Sequence, residues 1–221
     1  MLNDEPISAL GRLMLGYAQP EQRAGHHLCW ALDARLAGVV RAAREPAIAS
    51  IRLAWWRDAL VRDDRAKGGG DPLIEAWRAA GLAHAQAEYV DQMIDGWAAL
   101  IGEDELTMAS LRRFGEGRGG GLFALLAGQG VPPSGEALQS AGMVWALWDL
   151  AGHVQRPEEA TLCLTTASAA LPLSGLSSGR GLKPLRLLAR LAEADVRRGR
   201  VPKAGFEPRH YLKLLLQAPF S

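Results

Sequence analysis

The amino-acid sequence predicts an all-α protein that folds as a single-domain helical bundle. Of its 221 residues, 37 are Ala and 34 are Leu, and both residues favour helices. Val, Ile and Thr, the β-branched residues that pack the faces of a sheet, together number only 19. Apolar side chains also recur every three or four positions along much of the chain, as one face of a helix requires. No repeat or shift in composition divides residues 1–221, so we expect one domain.

Proline and glycine mark where the individual helices begin and end. A proline fits the first turn of a helix, whereas the residue before a proline disfavours helical dihedral angles. Between these breaks the apolar spacing predicts, in order, helices at Ile7–Ala18, Pro20–Arg44, Pro46–Asp64, Pro72–Ala80, Ala83–Ile101, Leu106–Ala127, Ser134–His153, Leu185–Arg198 and Pro208–Leu216. Glycines interrupt the sixth of these helices, and residues 154–182 are too weakly patterned to predict a helix.

The longer helices carry apolar stripes that identify the faces expected to pack inward. Residues three or four apart lie on the same side of a helix. The stripes are Leu10, Leu13, Met14 and Tyr17 in the first helix, Leu28, Leu32, Leu36 and Val39 in the second, and Tyr89, Met93, Trp97 and Leu100 in the fifth. The third helix carries two apolar sets, one of Ile51, Trp55 and Ala59 and one of Ile48, Trp56 and Leu60.

Composition argues against several classes of protein. The two cysteines, Cys29 and Cys163, are too few for a disulfide framework and lack the close spacing of a zinc site. The alternatives are a single bridge between them or two reduced, buried thiols, and we expect the thiols. The acidic N-terminus does not resemble a secretory signal. No run of about 20 mainly apolar residues predicts a membrane-spanning helix. We therefore expect a soluble, cytoplasmic protein.

Charge is unevenly distributed although the formal net charge is only +1. Residues 86–116 are acidic, whereas residues 178–213 hold ten Lys or Arg and three acids. The basic segment indicates either a solvated, Arg-rich helix or a surface for phosphate, an acidic partner or the inner face of an anionic membrane. It has no nucleic-acid-binding motif and no interleaved aromatic residues, so we do not expect nucleic-acid binding.

Two local patterns resemble ligand sites. Asp91 and Asp95 share one face of a predicted helix and could hold Mg²⁺ and a diphosphate, although a solvated acidic face gives the same pattern. The run from Gly117 to Gly121 resembles a phosphate loop but lacks the Lys-Ser/Thr pair that contacts phosphate and metal. Close helix packing explains these glycines better.

The strongest local signal is the segment Ile51–Leu60, which contains adjacent Trp55 and Trp56. Its pattern, Ile-Arg-Leu-Ala-Trp-Trp-Arg-Asp-Ala-Leu, resembles a helix of the squalene/phytoene synthase family. Weaker resemblances follow the family's order and occur at Glu45-Pro46, Met93–Gly96, Phe114–Ala127, Gly142–His153 and Leu171-Pro172. The resemblance implies an isoprenoid-synthase-like helical bundle around a deep apolar cavity.

Catalytic members of that family use two aspartate-rich motifs to bind Mg²⁺ and prenyl diphosphate. The first motif would fall at Leu36–Arg44, where this chain has no carboxylate. The second would fall near Asp149, where His153, Val154 and Gln155 replace the downstream acids. A Mg²⁺–diphosphate cluster needs several convergent carboxylates. The resemblance therefore implies a divergent, non-catalytic branch, similar to an assembly factor of respiratory complex I.

On this basis we expect a binding or assembly protein that needs no cofactor. Its expected partners are a membrane protein, including one of a respiratory complex, or a prenyl or lipid ligand. The cavity or binding candidates are Arg52, Trp55, Trp56, Trp145, Asp149 and His153. The alternative is a divergent prenyl transferase that condenses prenyl diphosphates with Mg²⁺ held at Asp91 and Asp95.

Overall fold

The computed structural model describes residues 7–128, 135–173, 176 and 180–203, and in this part of the chain all regular structure is helical. The all-α prediction is therefore confirmed. The α-helices are α1 (Ala9–Tyr17), α2 (Arg23–Ala42), α3 (Pro46–Leu60), α4 (Pro72–Ala79), α5 (Leu82–Ala85), α6 (Ala87–Ala98), α7 (Met108–Phe114), α8 (Gly121–Ala127), α9 (Gly135–Ala151), α10 (Pro157–Ser168) and α11 (Lys183–Val196). A π-helix, Gly115–Gly120, joins α7 to α8.

Side chains at the helix starts explain several of these boundaries. The Asp71 carboxylate accepts hydrogen bonds from the amides of Leu73 and Ile74, at 2.9 and 3.2 Å. Thr107 and Ser110 each accept from the other's amide at the start of α7. These bonds satisfy amides that have no partner within the first turn of a helix.

Helix α10 occupies part of the segment for which the sequence predicts no helix. Its apolar pattern is diluted by Thr and Ser, which favour caps and turns over helix interiors. In the structure the Thr161 and Thr166 hydroxyls donate to the carbonyls four residues earlier, at 2.9 and 2.8 Å. Burial of Cys163, Leu164 and Ala167 against the core then outweighs the weak helical propensity.

Helix α9 lies at the centre of the bundle. All eight residues from Ala141 to Trp148 are buried, which is the pattern of a helix packed on every side. It packs against α8, α10, α11 and the π-helix. The side chains that α9 presents are therefore held by several neighbouring elements at once.

Two pairs of glycines, Gly96 with Gly117 and Gly142 with Gly119, bring the π-helix into backbone contact with its neighbours. A Cβ atom on Gly96 of α6 would overlap the amide nitrogen of Arg118, and one on Gly142 of α9 would overlap the carbonyl of Gly119. Any larger residue at these positions would push the helices apart. Helix packing is thus the role of the glycine run that superficially resembles a phosphate loop.

Both cysteines are buried free thiols, as the sequence predicts. Burial raises the pKa of the Cys29 and Cys163 thiols to about 12. A thiol must lose its proton to act as a nucleophile. Neither cysteine therefore provides thiolate chemistry near neutral pH.

The C-terminal basic segment is described only up to Lys203. Within that part, α11 buries Leu185, Leu188 and Leu191 and exposes Arg190, which is the pattern of an amphipathic helix with a solvated face. The predicted helix Pro208–Leu216 lies outside the described residues. None of the described helices is both long enough and apolar enough to span a bilayer.

Candidate functional site

A cavity of about 380 Å³ lies among α1, α2, α9 and the π-helix, with α6 along one side. Its wall includes the indole rings of Trp30, Trp97 and Trp145 together with aliphatic side chains. Ser8, Arg41 and His153 belong to the wall and are solvent-exposed. An apolar wall with a few polar groups and a volume of about 300–1,000 Å³ is typical of a small-molecule site.

Three charged side chains form a cluster in the wall of this cavity. Arg118 of the π-helix donates from Nε to Oδ1 of Asp33 at 2.9 Å and from Nη2 to Oδ2 of Asp33 at 2.8 Å. Its Nη1 donates to Oδ2 of Asp149 at 2.8 Å. One guanidinium thus joins a carboxylate of α2 to a carboxylate of α9, with parallel hydrogen bonds to the first of them.

Aromatic rings hold the guanidinium of Arg118 in place. Its central carbon lies 4.6 Å from the ring centroid of Trp97 and 4.7 Å from that of Trp145. Trp97 also donates from Nε1 to Oδ1 of Asp33 at 3.0 Å. Stacking on aromatic faces suits the planar, weakly hydrated guanidinium, so the cluster is locked by packing as well as by charge.

The pKa of Arg118 reflects this environment. Burial alone would lower it, but the charges of Asp33 and Asp149 and their hydrogen bonds raise it above the ordinary value of arginine. Arg118 therefore stays protonated at all ordinary pH values. It acts as a fixed cation and not as an acid or a base.

The π-helix that carries Arg118 is held by two glutamines. Gln92 of α6 and Gln139 of α9 both donate from Nε2 to the carbonyl of Glu116, at 3.1 and 2.8 Å. Gln92 Nε2 also lies 3.2 Å from Oε1 of Gln139. A π-turn is wider than an α-turn and does not follow the hydrogen-bond pattern of an α-helix. The two glutamine side chains and the glycine contacts together therefore fix the position of Arg118.

Two tryptophans that line the cavity have indole N–H groups without an acceptor among the described residues. Trp30 and Trp145 are only 4% and 1% exposed, and their Nε1 atoms are buried without a hydrogen-bond partner in that part of the chain. Their rings meet edge to face, with centroids 5.5 Å apart. A buried donor without an acceptor costs about 1–3 kcal/mol, and such donors are rare.

The cavity brings together three of the residues that the sequence nominates, namely Trp145, Asp149 and His153. They lie four residues apart, on α9 and in the turn that follows it. The imidazole Nδ1 of His153 lies 2.8 Å from the carbonyl oxygen of Asp149. Three of the six cavity or binding candidates thus lie in the wall of this cavity.

The other three nominated residues, Arg52, Trp55 and Trp56, lie on α3 and do not line this cavity. Trp56 is buried and meets the half-buried Trp55 edge to face, with ring centroids 5.4 Å apart. Arg52 is exposed. Of these three side chains, Trp56 therefore packs into the core, whereas Arg52 faces solvent.

Asp91 and Asp95 lie on α6, as predicted, but on a different surface from the cavity. Both carboxylates pair with the guanidinium of Arg57 from α3. Burial alone would lower the pKa of Arg57, but hydrogen bonds and charge from Asp91 and then Asp95 raise it. The pair therefore ties α3 to α6.

The acidic groups do not fit the Mg²⁺–diphosphate cluster that the resemblance implies for catalytic relatives. Mg²⁺ binds through carboxylate oxygens with open lone pairs. Here both oxygens of Asp33 and one of Asp149 accept from Arg118, and one oxygen each of Asp91 and Asp95 is paired with Arg57. Within the described residues, no group of three or more His, Cys, Asp or Glu side chains is placed to hold a metal ion.

Sequence reasoning missed Asp33 and Arg118, the centre of the cluster. Asp33 does have a detectable signal, because it is the one acid in a helical stripe whose other members, Trp30, Ala34 and Ala37, line the cavity. A charge within an apolar stripe points to a buried partner. Arg118 has no comparable signal, since it lies within a run of glycines.

In comparisons with known proteins, no family model, no curated protein and no solved structure matches the chain.

Proposed function

We propose that this chain is a non-catalytic binding protein, similar to squalene/phytoene synthases, that holds an apolar, isoprenoid-like chain in the cavity beside Arg118. The observation that carries the proposal is the Asp33–Arg118–Asp149 bridge. By the resemblance, α2 and α9 are the helices that carry the metal-binding aspartates of catalytic relatives. In this chain Asp33 of α2 and Asp149 of α9 are bound to the internal guanidinium of Arg118.

The chemistry of the cluster supports binding over catalysis. Ionisation of a prenyl diphosphate needs cations that grip the leaving group, and in Mg²⁺-dependent enzymes carboxylates hold those cations. Asp33 and Asp149 are engaged by Arg118, and most of the remaining wall is aromatic or aliphatic. Such a wall favours an apolar chain through burial of its surface.

The proposal is tested by measuring turnover and binding on the same preparation. With farnesyl or geranylgeranyl diphosphate and Mg²⁺ we expect no diphosphate release above the protein-free control. With a fifteen-carbon hydrocarbon such as farnesene we expect saturable binding by calorimetry, with the negative heat-capacity change that marks apolar burial. Absence of binding would reject the proposal.

A pair of variants locates the binding. Ala34 lines the cavity, whereas Ala54 lies on the exposed side of α3. Ala34→Phe should fill the cavity and weaken binding by about tenfold or more, because each lost methylene contact is worth roughly 0.8 kcal/mol. Ala54→Phe adds the same ring outside the cavity and should leave the affinity unchanged. Equal effects of the two variants would place the ligand elsewhere.

The alternative, a divergent prenyl transferase, makes the opposite prediction in the turnover experiment. It requires Asp91 and Asp95 to leave Arg57, or Asp33 and Asp149 to leave Arg118, and to take up Mg²⁺. Mg²⁺-dependent consumption of a prenyl diphosphate would support it.

A role in assembling or regulating a membrane enzyme, which the resemblance also implies, stays a prediction and is independent of the cavity argument.

A further inference from the structure

We infer that the outward face of α3, formed by Ile48, Ile51, Arg52 and Trp55, docks on an anionic lipid bilayer. The apolar side chains of this α3 face enter the lipid interface, and Arg52 meets the anionic head groups. The face lies outside the cavity wall, and its contact with a bilayer does not depend on what the cavity binds. It gives a role to Arg52 and Trp55, which the sequence nominates as binding residues.

Apolar side chains of α3 are exposed to solvent. Ile48 and Ile51 are 41% and 69% exposed, and they are two of the four exposed large apolar side chains among the described residues. They lie one helical turn apart, and the half-buried Trp55 follows one turn later. The hydroxyl of Ser50 already donates to the carbonyl of Pro46 at 3.1 Å. A contiguous exposed apolar surface marks a site of contact with a protein or a membrane.

The charge beside these apolar side chains is positive. From residue 41 to residue 56 the charged residues are Arg41, Arg44, Arg52 and Glu45, and three cations with one anion give a net charge of +2. All three arginines are exposed, and none has an ion pair among the described residues. An exposed apolar helix face accompanied by arginine is typical of a helix that lies in the interface of an anionic membrane.

The acidic groups of the neighbouring elements lie on other sides of α3. A Cβ atom on Gly102 would lie 3.6 Å from the Cβ of Pro46, so the acidic residues 103–105 follow a contact with the start of the helix. Pro46 and Ile51 are about 140° apart around the helix. Arg57, which pairs with both aspartates of α6, is about 120° from Ile51. The α3 face itself therefore presents a cation and no acid.

A bilayer suits the α3 face better than a second copy of the chain or a peptide. A symmetric dimer built on this face would bring Arg52 of each copy towards the other, with no acid on the face to pair them. A peptide that docks as a helix needs a groove. Ile48, Ile51 and Arg52 line neither the cavity beside Arg118 nor the open groove between α6 and α9. An exposed ridge of this kind can enter a lipid surface without a groove.

The test is flotation of the full chain with vesicles of phosphatidylcholine, with and without about 30% phosphatidylserine. We expect the protein to float with the anionic vesicles and to bind the neutral ones about tenfold more weakly, since each arginine adds about fivefold in affinity near an anionic surface. Binding to the anionic vesicles should fall as salt is added. No binding to the anionic vesicles would overturn the inference and leave the α3 face to a protein partner.

Two variants with matched controls locate the contact. Ile51→Glu places an acid on the α3 face and should weaken binding to the anionic vesicles about tenfold or more, and Arg52→Gln should weaken it about fivefold. Val201→Glu and Arg190→Gln make the same kinds of change at exposed positions within residues 178–213. That basic segment is the rival membrane surface. These controls should leave the affinity unchanged.

The remaining outcomes are equally specific. Controls that weaken binding as much as the α3 variants do, or α3 variants that bind like wild type, would overturn the inference. A dimer in solution that Ile51→Glu dissociates would overturn it too, because a second copy would then cover the α3 face. The urea midpoint of each variant should match wild type, which shows that lost binding is not lost folding. Farnesene affinity measured without vesicles should be the same in Ile51→Glu and wild type, so the cavity function and the membrane contact can fail separately.

Discussion

Arg118 and Asp33 form a bidentate ion pair in the interior of the protein, with both side chains only 7% exposed. The pair links residues that are 85 positions apart in the chain and joins the π-helix to α2. Asp149 completes the cluster from α9. One guanidinium thus joins three elements through the buried Asp33 and the half-buried Asp149.

Removing Arg118 should strongly destabilise the fold. Arg118→Met leaves the Asp33 carboxylate buried without its counter-charge, and breaking a buried pair in this way costs about 3–5 kcal/mol. The free energy of unfolding from urea titration at pH 7 measures the effect. Arg52→Met is the control, because Arg52 is exposed, and surface substitutions usually stay within about 0.5 kcal/mol.

The same variant can be partly rescued if unpaired charge is the cause. Asp33→Asn in the Arg118→Met background removes the stranded carboxylate while its amide oxygen can still accept from Trp97. The double variant should therefore be more stable than Arg118→Met alone. A double variant that is less stable would show that lost packing, and not unpaired charge, dominates.

The contrast between α9 and the π-helix explains which parts of the site the sequence could reveal. Trp145, Asp149 and His153 recur every four residues, so helical periodicity places them together. The π-helix depends on contacts between distant segments, at Gly96, Gly142, Gln92 and Gln139. No local pattern reports such contacts, so the inward placement of Arg118 follows from packing alone.

Backbone contact between α6 and the π-helix should make Gly96 intolerant of a side chain. A Cβ atom at this position would overlap the Arg118 amide and the Gly117 backbone, which cannot rotate away. We expect Gly96→Ala to cost about 1–3 kcal/mol or more of folding free energy, as overpacking does. Chemical denaturation would measure the loss.

Gly38 provides the matched control for Gly96. It also lies inside an α-helix, α2, but an added Cβ atom would have no neighbour within 4 Å. Gly38→Ala should therefore stabilise the protein by about 0.5–1 kcal/mol through helix propensity. Loss of stability in both variants would contradict the packing argument.

The Arg57 pairs on the surface should contribute far less than the Arg118 cluster. The side chains of Asp91 and Asp95 are 41% and 67% exposed, and exposed pairs are worth about 0.2–1 kcal/mol each. We expect the double substitution Asp91→Ala with Asp95→Ala to cost at most about 2 kcal/mol, less at high salt, and to leave ligand affinity in the cavity unchanged. Urea titrations at low and high salt, with calorimetry, test this. A drop in affinity would implicate this surface in ligand binding.

His26 should make the protein sensitive to mild acid. The residue is fully buried, and its Nε2 donates to the carbonyl of Leu126 at 3.0 Å. Its Nδ1 is buried with no partner among the described residues, so a second proton would be an unpaired buried charge. Burial lowers the pKa of His26 below 6.5, although the bond to Leu126 opposes this.

The sign of the pH dependence follows from this lowered pKa. Near pH 6 the unfolded chain binds a proton at His26 that the native state does not, so stability is complete above about pH 6.5 and falls as the pH drops towards the native pKa. The loss attributable to this residue is at most about 1.4 kcal/mol per pH unit.

His26→Gln retains a donor for Leu126 but does not titrate. The stability difference between wild type and this variant should therefore shrink or reverse between pH 7 and pH 5, because every other titrating group is common to both proteins. A difference that stays constant with pH would mean that His26 accepts its second proton as readily in the native state as in the unfolded chain.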